Sequence, residues 1–288
     1  MPVFSINGQI CEEAEARIPV LDHGFLYGDG VFEGLRFYGG RVLLFREHLE
    51  RLKASADALA LALPFSVAEI RSAVEQVVKA TGTPDGYLRV IVTRGVGPLG
   101  IDPSRCRKGE LIIIADQLSL VDQSVRHQGV RLIIASTGRL AGDQLDSRIK
   151  SLNYLNQIMA RIEANNANAE EAVVLNQAGR VAEGTADNIF ITRAGVLLTP
   201  PVVDGALDGI TRGLILKLAA EAGIQVKECS LTPYDLFTAD ECFLTGTGAE
   251  LIPVREIAGR PLPHCPGELF ARVEQLFRGA LREDRFFA

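Results

Sequence analysis

The chain has 288 residues, 47% of them hydrophobic and 23% charged, the balance of a soluble globular protein long enough for two domains. Thirty Lys and Arg against thirty-six Asp and Glu give a net charge of -6, which argues against a nucleic-acid or anionic-membrane binder. Its aliphatic content excludes disorder, and apolar runs such as Leu111–Ala115 fall far short of the roughly 18–20 residues that cross a bilayer.

In chain order, Val3–Ile6, Asn7-Gly8 and Gln9-Ile10 read as a β-hairpin, because Asn-Gly supplies the positive φ values of a tight turn. Val31–Phe37 and Arg41–Phe45, joined at Gly39-Gly40, read as a second. Arg46–Leu63 is predicted helical, since Leu49, Leu52, Ala56, Leu59 and Leu63 recur at steps of three and four. A further helix spans Ser66–Ala80 and stops at Thr81-Gly82. Tyr87–Thr93 and Leu111–Ala115 are β-rich. A second set follows: strand Val130–Ala135, helix Leu152–Asn165, strands Ala172–Leu175 and Asn188–Thr192, helix Thr211–Ala222, strand Glu241–Thr245 and helix Gly267–Leu281. The polar stretch between the sets is the expected linker. The division is a smaller α+β domain at 1–118, a linker at 119–128 and a larger α+β domain at 129–288, with a ligand cleft between the two.

Five scattered cysteines without a CxxC pair argue against a disulfide framework and a zinc ribbon. The four histidines lack metal-ligand spacing, so no metal site is expected. With no charged n-region and apolar stretch at the start, a cytoplasmic location is expected. Gly95-x-Gly97-x-x-Gly100 follows a strand but contains Pro98 and opens no helix, so it reads as a loop rather than a dinucleotide fingerprint.

Only six lysines occur, and five sit on polar helix faces, beside a core stripe, in a charged loop or at a strand start. Lys150 stands before an apolar helix, where a surface lysine and a chemical one are both compatible with its surroundings. Leu207-Asp208-Gly209-Ile210-Thr211-Arg212 runs a glycine turn into a helix whose free N–H groups suit an anion. Thr245-Gly246-Thr247-Gly248-Ala249-Glu250 offers hydroxyls and backbone donors after a strand. Glu183-Gly184-Thr185-Ala186-Asp187-Asn188 sets a carboxylate just before another. Singly, each is an ordinary turn or cap.

Jointly, and in the chain order Lys150-Ser-Leu-Asn-Tyr154-Leu, Glu183–Asn188, Leu207–Arg212 and Thr245–Glu250, these segments resemble the signature of class IV aminotransferases, the fold-type IV pyridoxal-phosphate enzymes. Tyr27-Gly-Asp-Gly-Val-Phe-Glu-Gly34-Leu-Arg36 and Arg46-Glu-His-Leu-Glu-Arg51-Leu match as well, so the resemblance covers residues 3–280. It implies the α+β, two-domain, D-amino-acid-aminotransferase-like architecture and a pyridoxal 5'-phosphate cofactor. It implies that Lys150 forms the internal Schiff base and then shuttles the Cα proton. Glu183 would keep the pyridine nitrogen protonated, Tyr154 would bond the phenolic oxygen, and Leu207 would pack on the ring. Arg51, Ile210, Thr211 and Thr247 would form the phosphate cup.

The resemblance is closest to branched-chain aminotransferases. It implies that Tyr27, Phe32 and Gly34 line the side-chain pocket, that Tyr87 and Arg89 match the branched-chain substrate strand, where the arginine meets the side-chain carboxylate of glutamate, and that Thr247-Gly248 holds the α-carboxylate. Arg94, in Thr-Arg-Gly, is reminiscent instead of the α-carboxylate arginine of D-amino-acid enzymes, or else pins a loop. A homodimer is implied, with Leu99 and Ile101 reaching into the partner's site. The alternatives on this fold are a D-amino-acid aminotransferase, an R-selective amine transaminase and an aminodeoxychorismate lyase. One departure bears on the pocket: Asp116–Gln128 contains none of the aromatics that branched-chain enzymes tend to carry in the connection.

Overall fold

The computed structural model describes residues 2–117 and 128–287. They form two compact units. The first holds residues 2–117 together with 149–153 and 283–287; the second holds 128–148 and 154–282. Two stretches that a linear division gives to the second domain therefore pack with the first. Of the expected connection at 119–128, residues 119–127 lie outside the described residues.

In the first unit, β1 (Val3–Ile6), β2 (Gln9–Cys11), β3 (Gly30–Tyr38), β4 (Arg41–Val42), β5 (Gly86–Thr93) and β6 (Glu110–Asp116) form one sheet in the order β2-β1-β6-β5-β3-β4. Every pairing is antiparallel. The opening hairpin turns at Asn7-Gly8 with φ of 53° and 81°, as its sequence requires. Alternation then divides the sheet into two faces. Val31, Leu35, Phe37, Leu88, Val90, Val92, Leu111 and Ile113 are buried against helices α1 (Phe45–Ala58) and α2 (Val67–Thr81). The opposite face carries Phe32, Gly34, Tyr87, Arg89 and Ile91.

Helix α2 keeps the start and stop that its sequence encodes: Ser66 and Glu69 form a capping box, and Gly82 closes the helix in the left-handed region. Helix α1 ends earlier than its leucine periodicity suggests. Ala60 takes a left-handed conformation, and the Arg94 guanidinium binds the carbonyls of Leu59 and Ala60 at 2.8 and 2.7 Å. Phe45, expected in a strand, opens α1 instead.

The second unit has a mixed sheet of β7 (Val130–Ile134), β8 (Glu171–Leu175), β9 (Val181–Glu183), β10 (Asn188–Arg193), β11 (Val196–Thr199), β12 (Val226–Glu228), β13 (Glu241–Gly246), β14 (Glu250–Ile257) and β15 (Arg260–Pro261). The order is β12-β11-β10-β13-β14-β7-β8-β9, with β15 on β14. One face buries Ile189, Ile191, Leu244, Ile252 and Val254. On the other, Phe190 and Phe243 stack at 5.1 Å and Phe270 meets Phe243 edge-on at 5.4 Å. Such aromatic pairs contribute about 0.5–1.5 kcal/mol beyond their burial. Helix α3 spans Leu155–Asn166, starting three residues later than expected; α4 is Ile210–Glu221 and α5 is Glu268–Ala280. No helix among the described residues is long and apolar enough to cross a membrane.

Candidate active site

In the first unit the site begins with the edge of β3. Residues 149–153 lie along that edge, with Val31 and Ser151 as antiparallel partners. The Phe32 N–H donates to the Lys150 carbonyl and the Leu152 N–H to the Gly30 carbonyl, both at 2.9 Å. The Lys150 N–H donates to the buried Ser55 hydroxyl on α1 at 3.1 Å. Lys150 is thus held in an extended segment, not at a helix start, and its backbone position is fixed independently of its side chain.

Its amine lies 4.5 Å from the centre of the Phe32 ring, and the Arg89 guanidinium lies 3.9 Å from the same centre. Gly34 shares this face. A Cβ there would collide with the Tyr87 hydroxyl, so glycine is what admits the tyrosine. Structure therefore brings Lys150, Phe32, Gly34, Tyr87 and Arg89 together.

The neighbouring β3 residue faces the other way. Glu33 is buried beneath the sheet, where Arg51 donates to both of its oxygens at 2.6 and 2.8 Å and His48 Nδ1–H donates at 2.7 Å. Burial alone would raise the Glu33 pKa, but the Arg51 charge and the hydrogen bonds from Arg51 and His48 bring it down to about 2. Burial pushes the His48 pKa down, with the charges of Arg51 and Lys150 adding to it. Arg51 is thus oriented by a carboxylate that sequence reasoning left without a role, although Glu33 and His48 stand inside the matched segments.

Four predicted positions fall elsewhere in this unit. Tyr27 sits on a short helix, His23–Tyr27, and its hydroxyl accepts from the Gly100 N–H at 2.9 Å. Leu99 and Ile101, beside Gly100, are exposed. Arg94 spends its donors on Asp29, at 2.9 and 3.0 Å, and on Leu59 and Ala60. These bonds tie the loop to the end of α1.

The second unit builds around Glu183, the last residue of β9 and 4% exposed. Its Oε2 accepts from Asn188 Nδ2 at 3.1 Å and from the Leu207 N–H at 3.0 Å. Its Oε1 is paired with Arg139, which the sequence did not reveal. Asn188 also donates to the Leu207 carbonyl at 3.0 Å, fixing the turn that leads into α4. A Cβ on Gly209 would strike Asn188 Oδ1, which explains the glycine before the helix. The N–H groups of Ile210 and Thr211, in the first turn of α4, have no intrahelical partner, and no side chain among the described residues caps them. Across the sheet, Thr245 pairs with Asn188, and the buried Thr245 hydroxyl lacks a hydrogen-bond partner among the described residues. Thr247 and Gly248 form the turn that follows β13. Tyr154 immediately precedes α3, within electrostatic reach of Arg139.

Residues 30–257 match the family model described as amino-transferase class IV. A putative branched-chain-amino-acid aminotransferase of Methanocaldococcus jannaschii is 45% identical over 274 residues, covering 95% of this chain and 94% of the relative. A D-alanine aminotransferase of Bacillus licheniformis is 34% identical over 283 residues, covering 96% and 95%. Among solved structures, the branched-chain amino acid aminotransferase of Thermobaculum terrenum in its PLP-bound holo form superposes with a TM-score of 0.90 at 29% identity, covering 99% of this chain and 95% of that one. The chain belongs to the class IV aminotransferase family, and its fold is the two-domain α+β architecture of fold-type IV pyridoxal-phosphate enzymes.

The pairing at Glu33 sets a pH dependence. Because its pKa lies below the ordinary 4.5, the stability it contributes is full above about pH 4.5 and is lost as pH falls through about 2. Glu33→Gln leaves Arg51 without its counter-charge and is expected to cost about 3–5 kcal/mol near neutrality. Urea unfolding across a pH series checks this. The gap between variant and wild type should narrow on acidification, and a gap that stays constant would contradict the assignment.

Proposed function

We propose that this chain is a pyridoxal-phosphate-dependent branched-chain L-aminotransferase, moving an amino group between Leu, Ile or Val and 2-oxoglutarate by a ping-pong mechanism. The residues suit the cofactor. A helix start without a side-chain cap among the described residues offers amides to a phosphate, and the Thr245 hydroxyl is a buried donor with no partner among those residues. Glu183 is a buried, preoriented carboxylate. When bound, the cofactor supplies an electron sink for the carbanion left after Cα deprotonation.

Each residue then has a task. Lys150 anchors the cofactor and carries the Cα proton, with Phe32 as the apolar floor beneath its amine. Tyr154 donates to the ring's phenolic oxygen, Leu207 packs on the ring, and Glu183 holds the ring nitrogen. Arg51, Ile210, Thr211 and Thr247 bind the phosphate, Arg51 being aimed by Glu33. Tyr27, Phe32, Gly34 and Tyr87 accept the branched side chain, and Gly248 receives the α-carboxylate.

The observation that supports the donor pair most directly is the Arg89 guanidinium over the Phe32 ring, a cation held against an apolar surface that the Lys150 amine also approaches. Aliphatic side chains pack on the ring, and the γ-carboxylate of glutamate reaches the arginine. The engagement of Arg94 with Asp29 and the end of α1 weighs against the D-amino-acid reading.

The assembly we propose is a homodimer, with Leu99 and Ile101 of each copy reaching the other's site. Helix α3 supports a second copy as the occupant of its outer face. It packs on the sheet through the small Ala160 and Ala164, while Leu155, Ile158, Met159 and Ile162 are exposed along one stripe. All five cysteines are free thiols, which suits a reducing cytoplasm.

Three outcomes check this reading. Purified protein with excess pyridoxal phosphate should show a visible cofactor band that Lys150→Ala abolishes, and should turn over L-Leu with 2-oxoglutarate in preference to D-Ala or (R)-1-phenylethylamine. No band in the wild type refutes the cofactor assignment, and activity with D-Ala alone moves the assignment to a D-amino-acid aminotransferase. Light scattering should give a dimer, dissociated by Ile158→Glu combined with Ile162→Glu; a monomeric wild type contradicts the assembly.

A further inference from the structure

The buried guanidinium of Arg139 has no part in the roles above, yet it is built into the site with care. It is 5% exposed, and its backbone N–H donates to the Leu175 carbonyl at 2.8 Å. Its Nε donates to the Gly205 carbonyl at 2.8 Å, and its Nη2 is paired with Glu183 Oε1. Both ends of the side chain are therefore fixed. Burying a guanidinium is costly unless a carboxylate compensates it, so the position is tolerable only while Glu183 is ionised.

The converse holds for Glu183. A carboxyl as buried as this one is driven toward its neutral form unless a cation or strong donors oppose burial. Asn188 and the Leu207 N–H are neutral donors and both serve Oε2. Arg139 is the cation paired with Glu183 among the described residues, and it serves the other oxygen. A carboxylate oxygen has two lone pairs, so Oε1 can accept from Arg139 and still meet one further donor.

We propose that Arg139 is a positioning residue that keeps Glu183 anionic and aimed, so that the proton shared by Glu183 and the cofactor's ring nitrogen resides on the nitrogen. The inference rests on Glu183 being the ring-nitrogen partner. The balance is simple. One proton lies between a carboxylate oxygen and a pyridine nitrogen, and the Arg139 charge lowers the proton affinity of the oxygen alone. Removing that charge shifts the proton to Oε1, leaves the ring neutral and weakens its capacity to accept electrons, while no proton is gained or lost.

The test is 15N NMR of holoenzyme reconstituted with pyridoxal phosphate labelled at the ring nitrogen. Wild type is expected in the pyridinium range, and Arg139→Lys, which keeps the charge, is expected to stay there. Arg139→Gln and Arg139→Met should move to the neutral-pyridine range with cofactor still bound and kcat reduced at least tenfold. Glu183→Gln should move there as well, which checks the underlying reading separately. If Glu183→Gln moves the signal and both neutral Arg139 variants leave it in the pyridinium range, the Arg139 proposal falls and the Glu183 reading stands. If Glu183→Gln leaves the signal unmoved, it is the Glu183 reading that falls. A neutral-pyridine signal in the wild type overturns the proposal without any variant.

Discussion

The position of Lys150 depends on the free edge of β3. The hydrogen bonds that join Phe32 to Lys150 and Gly30 to Leu152 fix the lysine backbone against a strand of the first unit, although the chain on both sides belongs to the second. A reactive amine placed by its side-chain contacts would shift whenever those contacts exchange. One placed by a backbone ladder keeps its origin while the amine moves between tasks. Register matters for the same reason. On β3, odd residues face the helices and even residues face the open side, so Glu33 reaches Arg51 while Phe32 and Gly34 meet Lys150 and Tyr87. A slip of one residue would exchange the two sets.

The second unit solves a different problem, the burial of a charge. Glu183 is held by a cation, a side-chain amide and a backbone N–H, so both of its oxygens are engaged. The turn that follows is made by close approach, with Asn188 bonded to both carbonyl and carboxylate and Gly209 leaving room for it. The outcome is a helix start whose amides remain available. Glu33 and Glu183 are thus related devices, each a buried carboxylate paired with an arginine, one per unit.

Much of this was legible in the sequence. Asn7-Gly8, the Ser66–Glu69 capping box and the alternation of Tyr87–Thr93 are local signals, and the structure obeys them. The motif segments also carried the family and its fold. What escaped was set by tertiary contact. Leu59 and Leu63 continue the period of α1, but Arg94 and the left-handed Ala60 end the helix first. Strand β14 contains Pro253, which masks a strand in any reading based on propensity. Helix α3 looks like a core helix by its apolar content, yet its large residues face outward because alanines make the contact with the sheet. Arg139 follows a strand in Ser136-Thr137-Gly138 with no periodicity to mark it, and only the fold places it on Glu183.

Chemical trapping tests most directly that Lys150 carries the cofactor. Borohydride reduction of the purified holoenzyme, followed by digestion and mass mapping, should place a single phosphopyridoxyl group on the peptide containing Lys150 and leave the other five lysines unmodified. Label on any other lysine, or none at all, would contradict the account.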